Sequence, residues 1–212
     1  MDEQTKTFYE LRFRNHFLES KAAAFQDLFV AIMSKAHPGD FIPCRPWGNI
    51  GDRKNDGYLK SERTLFQVYA PNEMKAADTV AKIERDFAEA LPHWRDYFDT
   101  WVFVHNSHGG LPPGVIAKLL EIEQAHTPIV ITHWGFDELI LRFQRLSVEA
   151  LRSLYGSPPS GSKFNEQNKQ PLSVLLKSKR DQARVASRNR DTEAALGLWE
   201  EVRQQAERRK QS

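Results

Sequence analysis

Trp47-Gly48-Asn49-Ile50-Gly51-Asp52-Arg53-Lys54-Asn55-Asp56-Gly57-Tyr58-Leu59, followed by Thr64-Leu65-Phe66-Gln67-Val68-Tyr69-Ala70-Pro71, decides how the chain is read. The first part is polar and marked by glycines at 48, 51 and 57. The second is a short run rich in aromatic and β-branched residues, closed by a proline. Together they read as a strand pair with a polar turn before it. That reading sets a carboxylate, Asp56, at a strand start and a polar side chain, Gln67, on the neighbouring strand.

Upstream, Phe8 to Ala36 is helical in pattern, and Phe25, Leu28, Phe29, Ile32, Met33 and Ala36 fall on one helix face. His37-Pro38-Gly39-Asp40 ends it, and Phe41 to Trp47, with two prolines, reads as an edge-like strand. Downstream, Asn72 to Leu91 reads as a helix, with Asn72 as its cap and Glu73 on its N-terminal dipole. Its apolar stripe is Met74, Ala77, Val80, Ile83, Phe87 and Leu91. Trp101 to Val104 and Pro128 to Thr132 read as buried strands. Val115 to Gln124 and Gly135 to Leu154 read as helices. Strands first in a meander and then alternating with helices imply an α/β fold, a mixed sheet covered by helices.

Three regions are expected: a domain over 1–155, a linker over 156–171 and a basic helical extension over 172–212. The linker carries Ser157-Pro158-Pro159-Ser160-Gly161-Ser162 and one large apolar residue, Phe164. Between Leu172 and Lys210, ten Lys and Arg face six Asp and Glu, with the interleaving of a solvated helix face. Its few apolar residues cannot form a core, so docking on the main domain or on another chain is expected. The whole chain has 212 residues and a net charge of +2, so nucleic-acid affinity has to come from local patches. The lone Cys44 excludes an intrachain disulfide and fits a reducing compartment. Met1 to Thr7 is polar, and no apolar run is long enough to span a bilayer. A cytoplasmic protein without a membrane partner is expected.

A metal-dependent phosphodiesterase needs a carboxylate for Mg²⁺, a second oxygen one strand away, and usually a lysine to position water. Asp56 supplies the first and the Gln67 carbonyl the second, with Asp52 as a further metal candidate. Gly57 is expected to let the backbone turn closely behind the metal. Mg²⁺ is the expected cofactor, with Mn²⁺ able to replace it.

These residues resemble the PD-(D/E)xK restriction-endonuclease superfamily. The likeness runs through Phe25-Gln26, Gly51-Asp52, Asp56-Gly57 and Phe66-Gln67-Val68-Tyr69, and spans roughly Phe8 to Leu154. It is similar to the Mrr-like branch, and closer still to domains associated with large ATPases in bacterial anti-phage systems. The resemblance implies a restriction-endonuclease-like fold, DNA as substrate, and a protein partner such as an ATPase or self-association through the tail. It also exposes departures. Tyr69 stands where the family carries lysine, and Gln26, beside Asp27, stands where it carries glutamate. A tyrosine hydroxyl holds no permanent positive charge. Lys60 in the turn and Lys75 at the next helix start are the candidate replacements, with Lys82 two turns on. A catalytically inactive DNA-binding or scaffolding subunit is the alternative that these departures favour.

Plainer readings stand beside these. Asp56 before Gly57 can be a turn residue, Gln67 can make a structural hydrogen bond, and Tyr69 can be a packing residue. His105-Asn106-Ser107-His108-Gly109-Gly110 can be a strand-to-helix turn or, with His133, a rim that contacts substrate. A small-molecule enzyme using that loop is a third class. Arg12, Phe13, Arg14 and His16 form a basic-aromatic patch that suits phosphates or solvent equally.

Overall fold

A computed structural model describes residues 1–44 and 55–159. Asp52, most of the Trp47 to Gly57 stretch and the expected basic extension lie outside the described residues. The chain divides into two units, Met1–Gly156 and Ser157–Ser212. The strands and helices of the described residues all belong to the first.

That unit is α/β, a five-stranded mixed sheet with helices on both faces. Strands β1 (Phe41–Pro43), β2 (Gly57–Leu59) and β3 (Thr64–Tyr69) pair antiparallel. Strands β4 (Thr100–His105) and β5 (Val130–Trp134) continue the sheet in parallel, in the order β1-β2-β3-β4-β5. Helices α3 (Ala76–Trp94) and α4 (Pro113–Ala125) are the crossovers that parallel pairing requires. Among the described residues no helix is long and apolar enough to cross a membrane.

Strand alternation splits β3 between two cores. Phe66 joins a core with Phe13, Phe17, Phe25, Phe29 and Trp134, built with α1 (Glu3–Glu19), α2 (Ala22–Ala36), α5 (Phe136–Gln144) and α6 (Val148–Tyr155). Leu65 joins a second core with Ile83, Phe87, Trp101, Phe103 and Val115, built with α3 and α4. Gln67 and Tyr69 share the Leu65 face.

Several expected elements shift, each for a tertiary or local reason. The Phe8 to Ala36 helix is two helices, α1 and α2. Ser20 and Lys21 are extended, and Ala22 takes a φ of 46°. The Ala22 N–H donates to the Ala70 carbonyl at 2.7 Å, so the break is tied to the end of β3. The left-handed φ at Ala22 costs about 1–2 kcal/mol. Asn72 does not cap α3. The Asn106 side chain holds the Pro71 carbonyl at 3.1 Å, and the helix starts at Ala76 after an extended Lys75. The buried arc of α3 is then Thr79, Ile83, Asp86, Phe87 and Ala90, rotated from the expected stripe, with Ala77 exposed. The expected Gly135 to Leu154 helix is also two, because Ser147 caps α6 by accepting from the Ala150 N–H at 3.2 Å. Strand β1 stops at Pro43, and β5 lies two residues later than expected, registered by Thr100 against Val130.

Gly57 stands inside β2, not at a turn. A Cβ there would overlap the Phe41 ring, so glycine is required by close approach across the strand pair.

Candidate functional site

Asn55-Asp56-Gly57 builds the first part of the site. Asn55 is fully buried, and its side-chain oxygen accepts the Gly57 N–H at 2.9 Å. This Asx-type bond fixes the entry into β2. The Asn55 amide also donates to the Cys44 sulfur at 3.1 Å, which ties β1 to the same turn. The Asp56 N–H donates to the Phe66 carbonyl at 2.9 Å, continuing the ladder to β3.

The Asp56 carboxylate then folds over the ladder. One oxygen accepts the Val68 backbone N–H at 2.6 Å, and the other accepts a short hydrogen bond from the Gln26 amide of α2. The side chain is buried at 4% exposure, so these bonds matter for holding it. Val68 follows Gln67 in the chain, so the carboxylate meets the β3 backbone one residue beyond the second candidate ligand. Gln26 therefore orients Asp56 instead of adding a negative charge.

Gln67 is also 4% exposed, and its side-chain oxygen has no hydrogen-bond partner among the described residues. An orphaned buried acceptor costs about 1–3 kcal/mol. A cation or a donor would satisfy it. Asp56 and Gln67 thus offer a carboxylate and an amide oxygen from adjacent strands, a donor set of the type Mg²⁺ takes while keeping several waters. A carboxylate oxygen can accept more than one bond, so these two hydrogen bonds do not by themselves exclude a metal. Among the described residues no group of three His, Cys, Asp or Glu converges to hold a metal.

The candidate lysines separate. Lys60 follows β2 at the opposite end from Asp56, and four extended residues place their backbones roughly 13 Å apart. Lys75 is exposed and lies 3.9 Å from Glu73, which is also exposed. Lys82 is the cation brought to Tyr69, its ammonium 6.0 Å from the ring centroid. Lys82 also pairs with Asp86, one helical turn on and fully buried. Arg85 reaches the same carboxylate at 3.8 Å. Tyr69 is half-buried, with its ring 6.0 Å from Phe103. Burial raises the pKa of its hydroxyl, and Asp78 and Asp86 add to the shift against Arg85. Tyr69 is a neutral group there, and the positive charge comes from α3.

Sequence reasoning missed Asp86. It had a signal, since Thr79, Ile83, Asp86, Phe87 and Ala90 follow helical spacing and put one carboxylate on an otherwise buried arc.

A second polar group ends β4 and β5 on the same face. His105 is 1% exposed, and its Nδ1 accepts the Ser107 N–H at 3.2 Å. Its proton is therefore on Nε2, which donates to Nδ1 of His133 at 3.2 Å. Burial, reinforced by His133, pushes the pKa of His105 down to about 4. Gly135 leaves room for the ring, since a Cβ there would lie 2.7 Å from His105 Cε1. His108 turns elsewhere and packs on Phe136 at 4.5 Å, in the other core. The His105 and His108 pair does not converge. Asn106 binds the Pro71 and Ser20 carbonyls at 3.1 and 3.5 Å.

The basic-aromatic patch on α1 is divided as well. Phe13 is core, Arg14 covers Phe136 at 5.0 Å, and His16 meets the Tyr155 hydroxyl at 3.1 Å.

The chain matches no family model, no curated protein and no solved structure.

Proposed function

We propose that this chain is a restriction-endonuclease-like protein whose site at Asp56 and Gln67 takes Mg²⁺ or Mn²⁺ and hydrolyses DNA phosphodiesters. The observation that carries the reading is the buried Gln67 oxygen, without a hydrogen-bond partner among the described residues, on the strand whose Val68 N–H the Asp56 carboxylate holds. Asp56 and Gln67 would hold the metal, and Gln26 fixes the carboxylate rotamer. A bound divalent metal supplies Lewis-acid activation of phosphate and a more acidic water. In this reading Lys82, 6.0 Å from the Tyr69 ring, and Tyr69 would stand in for the strand lysine. The ammonium attracts the phosphate, and the neutral hydroxyl can donate a hydrogen bond to it. The resemblance seen in the sequence extends the proposal to a bacterial defence role with an ATPase or other protein partner.

A second reading is a non-cleaving member of the same fold that binds DNA or scaffolds a complex. The Lys82–Asp86 pair favours it, because a lysine engaged by a buried carboxylate has less freedom to position water.

Plasmid cleavage by the purified full-length chain with Mg²⁺ or Mn²⁺ separates the two. The nuclease reading expects metal-dependent nicking that falls at least about 100-fold in Asp56→Ala, the loss of one transition-state contact worth roughly 3 kcal/mol. Equal cleavage by both proteins sinks the nuclease reading. DNA retardation without cleavage by either selects the second.

A further inference from the structure

On the face of the sheet covered by α2 and α5, a cavity of about 400 Å³ opens at the end of α2, the β2–β3 turn and the α5–α6 junction. Lys35, His37, Arg142 and Arg145 line it, and Glu62 is its one carboxylate. Three fixed cations therefore face one acid in a single concavity. None of the three has an ion-pair partner among the described residues.

Two of the cations are held in place without being used up. The Arg142 guanidinium carbon lies 3.3 Å from the Trp134 ring centroid, and its Nη1 donates to the Glu138 carbonyl at 2.9 Å. Its Nε and Nη2 make no hydrogen bond to the described residues. Lys35 donates once, to the Ser153 hydroxyl at 2.9 Å, and keeps two donors. Arg145 is exposed at the rim. Burial pulls the pKa of Arg142 down; Glu62 and Glu138 oppose that, and Arg145 adds to it. An anion between the two arginines would relieve both burial and repulsion.

The remaining accessible wall is Ala36, Pro38 and Ser147, above the buried Leu59 and Leu146. Trp134 is no platform for a ligand ring, since Phe66 at 4.8 Å and Arg142 take up its surroundings and it is 8% exposed. The volume lies within the roughly 300–1,000 Å³ range of small-molecule sites. It is far more than a lone inorganic ion fills.

We propose that this cavity binds a small organic anion, its phosphate or carboxylate head on Lys35, Arg142 and Arg145 and its apolar body against Ala36 and Pro38. A planar carboxylate or two oxygens of a tetrahedral phosphate match the arginine forks. The site lies at the Leu59 end of β2, away from Asp56, so it is separate from the phosphodiesterase proposal.

Calorimetric titration of the full chain tests it, with phenyl phosphate, benzoate, inorganic phosphate and benzyl alcohol as probes. At least one aromatic anion binds tenfold or more tightly than inorganic phosphate, benzyl alcohol does not bind, and the tighter of the two anions identifies the head. Arg145→Glu, a change at an exposed side chain, lowers that affinity at least tenfold with the melting temperature unchanged. Arg142→Met, whose stem still covers Trp134, does the same. Failure of both aromatic anions to bind overturns the proposal, as does binding unchanged in Arg145→Glu. Inorganic phosphate binding as tightly as phenyl phosphate and benzoate overturns the organic body. Displacement of the anion by a short DNA duplex overturns the small-ligand assignment in favour of a nucleic-acid surface.

Discussion

The two faces of strand β3 are built on opposite terms. Phe66 faces α1, α2 and α5, within reach of Phe29, Phe41 and Trp134 at ring distances of 5.4, 6.1 and 4.8 Å. Gln67, the next residue, faces α3 and α4, where Asp86 and His105 are also buried. One face gains from burying hydrocarbon. The other spends part of that gain to keep polar groups dry and oriented. A single strand thus separates a stabilising face from one with chemical capacity, and adjacent residues should respond to mutation in opposite directions.

The largest effect is expected on the aromatic face. Phe66→Ala should cost about 3–5 kcal/mol in urea unfolding, since it deletes a fully buried ring among three others. A loss under about 1 kcal/mol would show that this face does not carry the core.

Next comes the pH response of the polar face. His105 has its pKa depressed to about 4 from an ordinary 6.5. Above pH 6.5 it is neutral folded and unfolded, and its contribution is fully present. As pH falls from 6.5 towards 4 the unfolded chain takes a proton that the folded protein resists, so stability declines. The loss approaches about 3 kcal/mol across that window. Denaturation midpoints measured between pH 7 and 4 should show this slope, and His105→Gln should flatten it. An unchanged slope in the variant would assign the pH dependence to other groups.

The smallest expected effect has the opposite sign. Gln67→Met removes the orphaned oxygen at similar volume and should raise stability by about 1 kcal/mol without metal. Added Mn²⁺ should raise the melting temperature of the original protein and leave Gln67→Met unmoved. Equal Mn²⁺ stabilisation of both would remove Gln67 from the metal site while leaving the comparison of faces intact.

Much of this architecture is legible along the chain. Phe25, Leu28, Phe29, Ile32 and Met33 repeat at helical spacing and are all buried in α2. Trp101 to Val104 is apolar throughout because β4 is covered on both faces. The candidate site is legible in part. Asp56 and Gln67 stand out as polar residues at strand positions, and Gln26 is visible by its place on the α2 helix. The lysine is not. Lys75 looks better placed in sequence, but the late start of α3 leaves it outside the helix and brings Lys82 over Tyr69. That late start depends on Asn106, 35 residues from the Pro71 carbonyl it holds.

The sequence by itself determined the periodicities: which segments are helices, which are strands, and that the strands alternate between meander and crossover. These are properties of neighbours within a turn or a strand, where spacing fixes side-chain direction. Only the tertiary structure decided where α1 breaks from α2, which face Gln67 joins, and that Arg142 stacks on Trp134 beside Arg145 and Lys35. Each depends on a partner distant in the chain, such as Ala70 for Ala22 or Gln26 for Asp56. Long-range hydrogen bonds and packing choose among local conformations of similar energy, and no local pattern records that choice.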